Sequence, residues 1–363
     1  MKILFLIDSL GSGGAQRQIV TLSSLFKEWG LDVLILIYHN DNFFSKDIDE
    51  KGISIHYFGV NNHISRIFQV RKFIRTNAFD AVISFLDVPS FLNCIAAIGG
   101  KSWKVITSER SSKETKFKTL RGKLLGWFQR YSDVIVCNSE NAKTMWVKHY
   151  PKYKDKISVI YNPVLLPTTN SSYIPKSNEK INIVVAASYQ YLKNPLGVIK
   201  ALLLLSIDDR KRMKIKWFGR KDVSKGDTRA YDEAINLIEE NELEDVILLK
   251  EETTDIINKM NEADFVGLFS ELEGLPNAIC EGMMIGKPVI MTKVSDYTQL
   301  VDHKNGFLCK WDEPESIKNA FVAAMNLSND QIMRMGANSK EKAKKLFSKE
   351  TIVVQWMNLI TGK

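Results

Sequence analysis

The chain reads as an α/β protein built from two doubly wound domains, each a parallel sheet with helices on both faces. Three features predict this. Short runs rich in Val and Ile alternate with segments of helical spacing, a Pro- and Ser/Thr/Asn-rich stretch interrupts the alternation near the middle, and the alternation then restarts. A length of 363 residues, 45% hydrophobic and 25% charged, exceeds one typical core and suits two.

The first domain, residues 1–164, holds the runs Lys2 to Ile7, Val33 to Tyr38, Ile53 to Phe58, Ala81 to Phe85, Lys104 to Thr107, Val134 to Cys137 and Ile157 to Ile160. Between most of them lie helical patterns, such as Ile64, Ile67, Phe68, Phe73 and Ile74. Residues 165–180 read as a linker, with Pro163, Pro167 and Pro175 close by. The second domain, 181–347, supplies strand-like runs at Ile181 to Ala187, Ile215 to Phe218, Val246 to Leu249, Asp264 to Phe269 and Pro288 to Met291. Its last helices run from Glu315 to Leu327 and from about Asp330 to Phe347. In the terminal segment, 348–363, Ile352, Val353, Trp356, Met357 and Ile360 share one helix face. That stripe fits a helix capping the second domain or one returning to the first.

No run of about 18 apolar residues exists, so no transmembrane helix is expected. The opening run is cut off by Asp8 and enters a glycine loop, which marks a buried strand and not a signal peptide. Cys94, Cys137, Cys280 and Cys309 lack CxxC spacing and read as reduced core residues of a cytoplasmic protein. The net charge of +8 is unevenly placed: residues 1–170 hold 23 Lys/Arg against 14 Asp/Glu, whereas the remainder holds 27 against 28. Residues 110–156 alone hold 12 against 4, so the basic surface belongs to one region of the first domain.

The richest segment is Ser270 to Ile290, SELEGLPNAICEGMMIGKPVI, with Glu273 before a Gly274-Leu275-Pro276 turn and Glu281 eight positions on, inside a helix. Proline suits the start of that helix, because first-turn N–H groups have no intrahelical partner. The free amides near Asn277 and Ala278 and the positive dipole end make a phosphate site. Glu281, one to two turns in, can accept from ribose hydroxyls, and Glu273 can face a bound sugar.

This pattern, followed by Gly286-Lys287-Pro288-Val289-Ile290, resembles the signature of family 4 (group 1) of the retaining glycosyltransferases, which have the GT-B fold of two Rossmann-like domains facing an interdomain cleft. Three further landmarks fall in family order: Gly11-Ser12-Gly13-Gly14-Ala15-Gln16, Tyr161-Asn162-Pro163-Val164 and Lys193-Asn194. The resemblance implies transfer of a hexose or N-acetylhexosamine, with retention, from a UDP-linked or similar nucleoside diphosphate sugar to a lipid-linked saccharide in surface polysaccharide synthesis. It also implies a donor site on the second domain and an acceptor site on the first, a terminal helix crossing back to the first domain, and association with the inner face of the membrane. Two alternatives share the fold: a sugar-nucleotide 2-epimerase, and a non-catalytic partner subunit.

Lys193 matches the family lysine that binds the donor diphosphate, but the partner Arg position falls on Ser188. Arg220, after Trp217-Phe218-Gly219, stands at a neighbouring strand end and can replace that charge. Gly13 and Gly14 give the first domain a tight turn at a helix start, useful for phosphate or acceptor groups. This is not the dinucleotide fingerprint, since Gln16 stands where its third glycine belongs. Ser108-Glu109-Arg110 ends a first-domain strand, near where many family members place a His against the donor sugar. Glu109, with Lys193 and Glu273, is therefore a candidate catalytic residue, and Arg110 a candidate acceptor contact; the rival reading is a surface ion pair between the two. His39, His56, His63, His149 and His303 form no ligand spacing, so neither a metal nor a cofactor beyond the donor substrate is expected.

In residues 110–131, Phe117, Leu120, Leu124, Leu125, Trp127, Phe128 and Tyr131 recur at helical spacing among Lys113, Lys116, Lys118, Arg121, Lys123 and Arg130. This is either a core helix with solvated lysines or an interfacial helix drawn to anionic lipid. Nucleic acid fits poorly, because the patch has no such motif and the second domain is neutral.

Overall fold

The computed structural model describes residues 1–11, 13–41, 43–59, 62–110, 114–166, 180–222 and 226–362. Most of the expected linker, residues 167–179, lies outside these, as do Ser12 and Lys113. The chain divides into two compact units, Met1–Pro163 with Lys349–Lys363, and Val164–Ser348.

In the first unit the Val/Ile runs become β1 (Lys2–Leu6), β2 (Asp32–Ile37), β3 (Ser54–Tyr57), β4 (Ala81–Phe85), β5 (Lys104–Glu109), β6 (Val134–Cys137) and β7 (Ile157–Val159). They form one parallel sheet in the order β3-β2-β1-β4-β5-β6-β7. Alternation along each strand feeds two cores. Ile3, Phe5, Ile35 and Ile83 pack on one face with Leu22 and Phe26 of helix Gly14–Glu28, while Leu4, Leu6, Val82 and Val105 pack on the other with Val70 and Leu92. In helix His63–Thr76 the buried residues are Arg66, Val70 and Ile74, whereas Ile64 and Phe68 face solvent. The Arg66 guanidinium takes the inward position there, lying 4.2 Å over the Tyr38 ring.

The terminal helix, Lys349–Thr361, packs against helix Gly14–Glu28 of the first unit. Ile352, Val353, Trp356 and Ile360 join the core of β1 and β4, and the Trp356 ring meets Phe26 edge-on at 6.5 Å.

The second unit contains β8 (Ile181–Ala186), β9 (Met213–Gly219), β10 (Ile247–Glu251), β11 (Phe265–Leu268), β12 (Val289–Thr292) and β13 (Gly306–Cys309), parallel in the order β10-β9-β8-β11-β12-β13. The sequence reading found five of these six. It missed β13, a four-residue edge strand that opens on glycine and is only partly buried, so that its pairing with β12 and not its own pattern makes it a strand. The Gly286-Lys287-Pro288 motif has a structural reason. Lys287 is 0% exposed, and its ammonium donates to Asn261 O at 2.8 Å and Ala263 O at 2.7 Å, joining the turn before β11 to the start of β12. All four cysteines are free and buried.

Trp356→Ala is expected to destabilise the first unit by about 3–5 kcal/mol, the usual cost of truncating a buried aromatic side chain. Denaturant unfolding measures this, and a loss below about 1 kcal/mol would mean that the terminal helix is not anchored in that core.

Candidate functional site

In the second sheet the strand order reverses between β8 and β11, and ligand sites of such sheets lie beyond the strand C-termini at that point. The chain leaving β8 carries Lys193, and the chain leaving β11 carries Glu273. The Lys193 Nζ to Glu273 Oε1 distance is 2.6 Å, with both side chains largely buried. The Ser270 hydroxyl donates to the same Oε1 at 2.6 Å, and Glu271 N donates to Leu192 O at 2.8 Å, so main chain and side chain both tie the two loops together. The next residues along the chain hold Lys193 in place. Asn194 adopts a left-handed conformation, its Oδ1 accepts from Gly197 N at 3.1 Å, and Pro195 opens helix Pro195–Leu203.

Helix Asn277–Met284 starts immediately after Pro276. The N–H groups of Ile279 and Cys280 both return to Pro276 O, and Asn277 and Ala278 form the first positions at the positive end of the helix. Gly282 lets this helix lie close on β11: a Cβ there would stand 2.7 Å from a Val266 methyl. Glu281 is thereby fixed one turn above the amides. The turn itself is tied down, because Ser295 donates to Gly274 O, while Leu275 is buried. Ser188 and Arg220 are neighbours, since Tyr189 N bonds Arg220 O and the Ser188 hydroxyl accepts from Gln190 Nε2 at 2.9 Å. Glu273, Gly274, Leu275, Asn277, Ala278, Glu281, Lys193, Ser188 and Arg220 thus all lie at one edge of the second sheet.

In the first unit Gly13 and Gly14 stand at the start of helix Gly14–Glu28, as the glycine spacing implies. Glu109 and Arg110 do not pair with each other. Successive residues of an extended chain point to opposite faces. The Glu109 carboxylate meets Lys116 and accepts from the Trp146 indole at 3.0 Å. Arg110 goes the other way, over the Phe85 ring at 4.3 Å. Burial would lower the pKa of Lys116, but Glu109 and Asp87 outweigh that and raise it, so the ion pair is intact at neutral pH. These bonds tie Glu109 to Lys116 and Trp146 within the unit.

The 110–131 region is not one continuous helix. Helix Thr115–Lys118 ends at Thr119, which caps helix Leu120–Phe128, and a 3-10 turn Gln129–Tyr131 comes next. The second helix buries its small side. Gly126 packs where a Cβ would stand 2.3 Å from the Tyr150 hydroxyl, while Leu120, Leu124 and Trp127 are 86%, 54% and 40% exposed. At 3.6 residues per turn these three form one stripe with Arg121 and Lys123 on its flanks, and Arg130 lies 3.5 Å over the Trp127 ring. Lys116, grouped by the sequence with the surface cations, belongs to the internal network. Ser270, Trp146 and Asn162 are site residues that sequence reasoning left out, because their parts depend on partners 3, 37 and 52 positions away.

The family models match in chain order, Glycosyltransferase Family 4 over residues 12–166 and Glycosyl transferases group 1 over residues 169–342. Two doubly wound units with these models in this order define a GT-B glycosyltransferase, and the chain belongs to the group 1 family of these enzymes. A relative from Campylobacter jejuni, named GalNAc-alpha-(1->4)-GalNAc-alpha-(1->3)-diNAcBac-PP-undecaprenol alpha-1,4-N-acetyl-D-galactosaminyltransferase, is 25% identical over 99% of this chain and 98% of its own. Among solved structures, Anabaena HepE in complex with UDP and glucose matches with a TM-score of 0.80 at 18% identity, covering 100% of both chains. The apo lipopolysaccharide outer core galactosyltransferase WaaB matches with a TM-score of 0.78 at 15% identity, covering 100% of this chain and 99% of its own.

Replacing Lys193 and Glu273 by Ala, singly and together, is expected to give a coupling of about 0.5–3 kcal/mol in denaturant unfolding of the free protein. Strictly additive effects would mean that the pair is not formed in solution.

Proposed function

We propose that this glycosyltransferase moves a hexose or N-acetylhexosamine, with retention, from a UDP-linked sugar to a lipid-linked saccharide in bacterial surface polysaccharide synthesis, working at the inner face of the membrane. The observation that carries the donor side is the Lys193–Glu273 pair at the strand-order reversal, beside the positive end of the helix bearing Glu281. An ammonium has three N–H donors, so Lys193 can keep one on Glu273 and turn others to a diphosphate. Glu281 then holds the ribose, Glu273 orients the sugar through its hydroxyls, and Arg220 adds the charge that Ser188 does not supply.

In this reading the bond from the anomeric carbon to the phosphate oxygen breaks as the bond to the acceptor oxygen forms on the same face. The acceptor proton passes to the leaving diphosphate. No protein nucleophile is required, so the residues contribute orientation and stabilisation of the departing charge, through Lys193 and the amides of Asn277 and Ala278. The diphosphate-linked acceptor named for the Campylobacter relative supports the acceptor class, and UDP in the HepE structure supports the donor. No helix among the described residues is long and apolar enough to cross a membrane. The exposed Leu120, Leu124 and Trp127 stripe, flanked by Arg121 and Lys123, supports peripheral contact instead, its apolar part entering the headgroup region and its cations meeting anionic lipid.

Incubation with a panel of sugar nucleotides, reading nucleotide release and thermal shift, tests the donor. Glu281→Ala is expected to weaken UDP binding by about 1–3 kcal/mol in calorimetry, as loss of a charge-assisted acceptor would; unchanged affinity would remove the ribose assignment. Lys193→Ala is expected to leave little turnover at saturating donor, and near-normal turnover would put the diphosphate elsewhere.

For the membrane, exchanging Leu120, Leu124 and Trp127 for Ser, or Lys118, Arg121 and Lys123 for Gln, is expected to reduce co-sedimentation with anionic vesicles. The charge variant should lose about 1 kcal/mol per basic residue at low salt, a difference that fades as ionic strength rises. Vesicle binding equal to the parent's in both variants would make this helix an ordinary surface element.

A further inference from the structure

Arg110 is a cation without a direct ion-pair partner among the described residues. Glu109 is bonded to Lys116 and acts on Arg110 only through its charge at longer range. One guanidinium nitrogen donates to Asn162 Oδ1 at 2.5 Å, the plane rests on Phe85, and the buried Nε has no hydrogen-bond partner. Burial pushes its pKa down to about 9, which still leaves it charged at neutral pH. The adjoining strand adds a second unmatched group. Asn138, just past β6, is 5% exposed, and its Oδ1 is buried without a partner. Phe85, Arg110, Asn138 and Asn162 come from the C-terminal ends of four neighbouring strands, β4 to β7.

An unpaired charge at such a depth is costly unless something bound there completes it. A guanidinium offers a planar fork of N–H donors that matches two oxygens of one phosphate, and the Asn138 amide, with its O and N exchanged by rotation, presents N–H₂ donors where the unmatched Oδ1 stands. We propose that Arg110, with Asn138 and Asn162 beside it, receives the phosphate that joins the acceptor saccharide to its lipid. This rests on the acceptor being lipid-linked, as in the reading above. Two other phosphates are in play, those of the donor and those of the membrane, but each has its own cations: Lys193 in the second unit for the first, and Arg121 and Lys123 for the second.

Calorimetry of the UDP-saturated protein with geranyl diphosphate, and with geraniol as the phosphate-free control, tests this without turnover, so its outcome is independent of whether transfer is observed. The parent should bind geranyl diphosphate well above geraniol. Arg110→Gln should weaken geranyl diphosphate by about tenfold to a hundredfold, the worth of charge-assisted hydrogen bonds. Arg110→Lys, which keeps the charge without the fork, should fall between them. A merely structural Arg110 would instead lower the melting temperature on replacement, whereas removing an uncompensated charge should leave it unchanged or raise it. Equal geranyl diphosphate affinity in parent and Arg110→Gln, or no binding by the parent, would overturn the proposal. It would equally fall if Arg110→Gln weakened UDP binding, which would assign the cation to the donor. Weakened anionic-vesicle binding with geranyl diphosphate affinity intact would assign it to membrane phospholipid and overturn it too.

Discussion

Parallel pairing of β8 with β11 is the constraint on which the candidate donor site depends. Parallel strands send all their C-termini to one edge, and where the order reverses the two outgoing loops part, one to each face of the sheet. Lys193 and Glu273 leave from those two strands and would be 80 residues apart without them. Their ion pair and the Glu271 N to Leu192 O bond close the edge, and helix Asn277–Met284 then brings its amides and Glu281 to the same place. A change that loosened the strand pairing would scatter every residue of this candidate site at once.

Charges inside the two units divide by how they are matched. Lys287 is fully buried but bonded to two carbonyls, so it serves the fold, and Lys116 with Glu109 forms an internal pair fixed by Trp146. Lys193 is matched by one carboxylate and retains donors for a ligand. Arg110 rests on an aromatic face and a single amide, the least matching of the four. Burial makes each mismatch more costly, because the low dielectric that strengthens a pair also penalises a lone charge. The degree of matching is the physical ground for proposing Lys193 and Arg110, and not Lys287 or Lys116, as ligand contacts.

The helix Leu120–Phe128 turns part of its large apolar surface outward while Phe128 packs on Phe91. Gly126 is its one buried residue, Gly122, Leu125 and Phe128 are half-buried, and Leu120, Leu124 and Trp127 remain outside. That leaves apolar area which water disfavours and a lipid interface accepts, next to cations suited to anionic headgroups.

Local patterns in the chain were enough for the two parallel α/β units, the helix starting after Pro276, and the family, because buried runs, glycine turns and the Glu273 to Glu281 spacing can each be read within one segment. They also named most of the residues that the second sheet brings together at its C-terminal edge. Features left open by the sequence concerned partners distant along the chain. The stripe of Ile352, Val353, Trp356 and Ile360 fits either unit, and only contact with Phe26 and helix Gly14–Glu28 places it on the first. Strand β13 exists through its pairing with β12. The 110–131 pattern has one hydrophobic period under both of its readings, and which side is buried came from Tyr150 fitting against Gly126. For Glu109 and Arg110 the sequence allowed separate roles or a mutual ion pair; strand alternation turns the two side chains apart, Glu109 to Lys116 and Arg110 to Phe85.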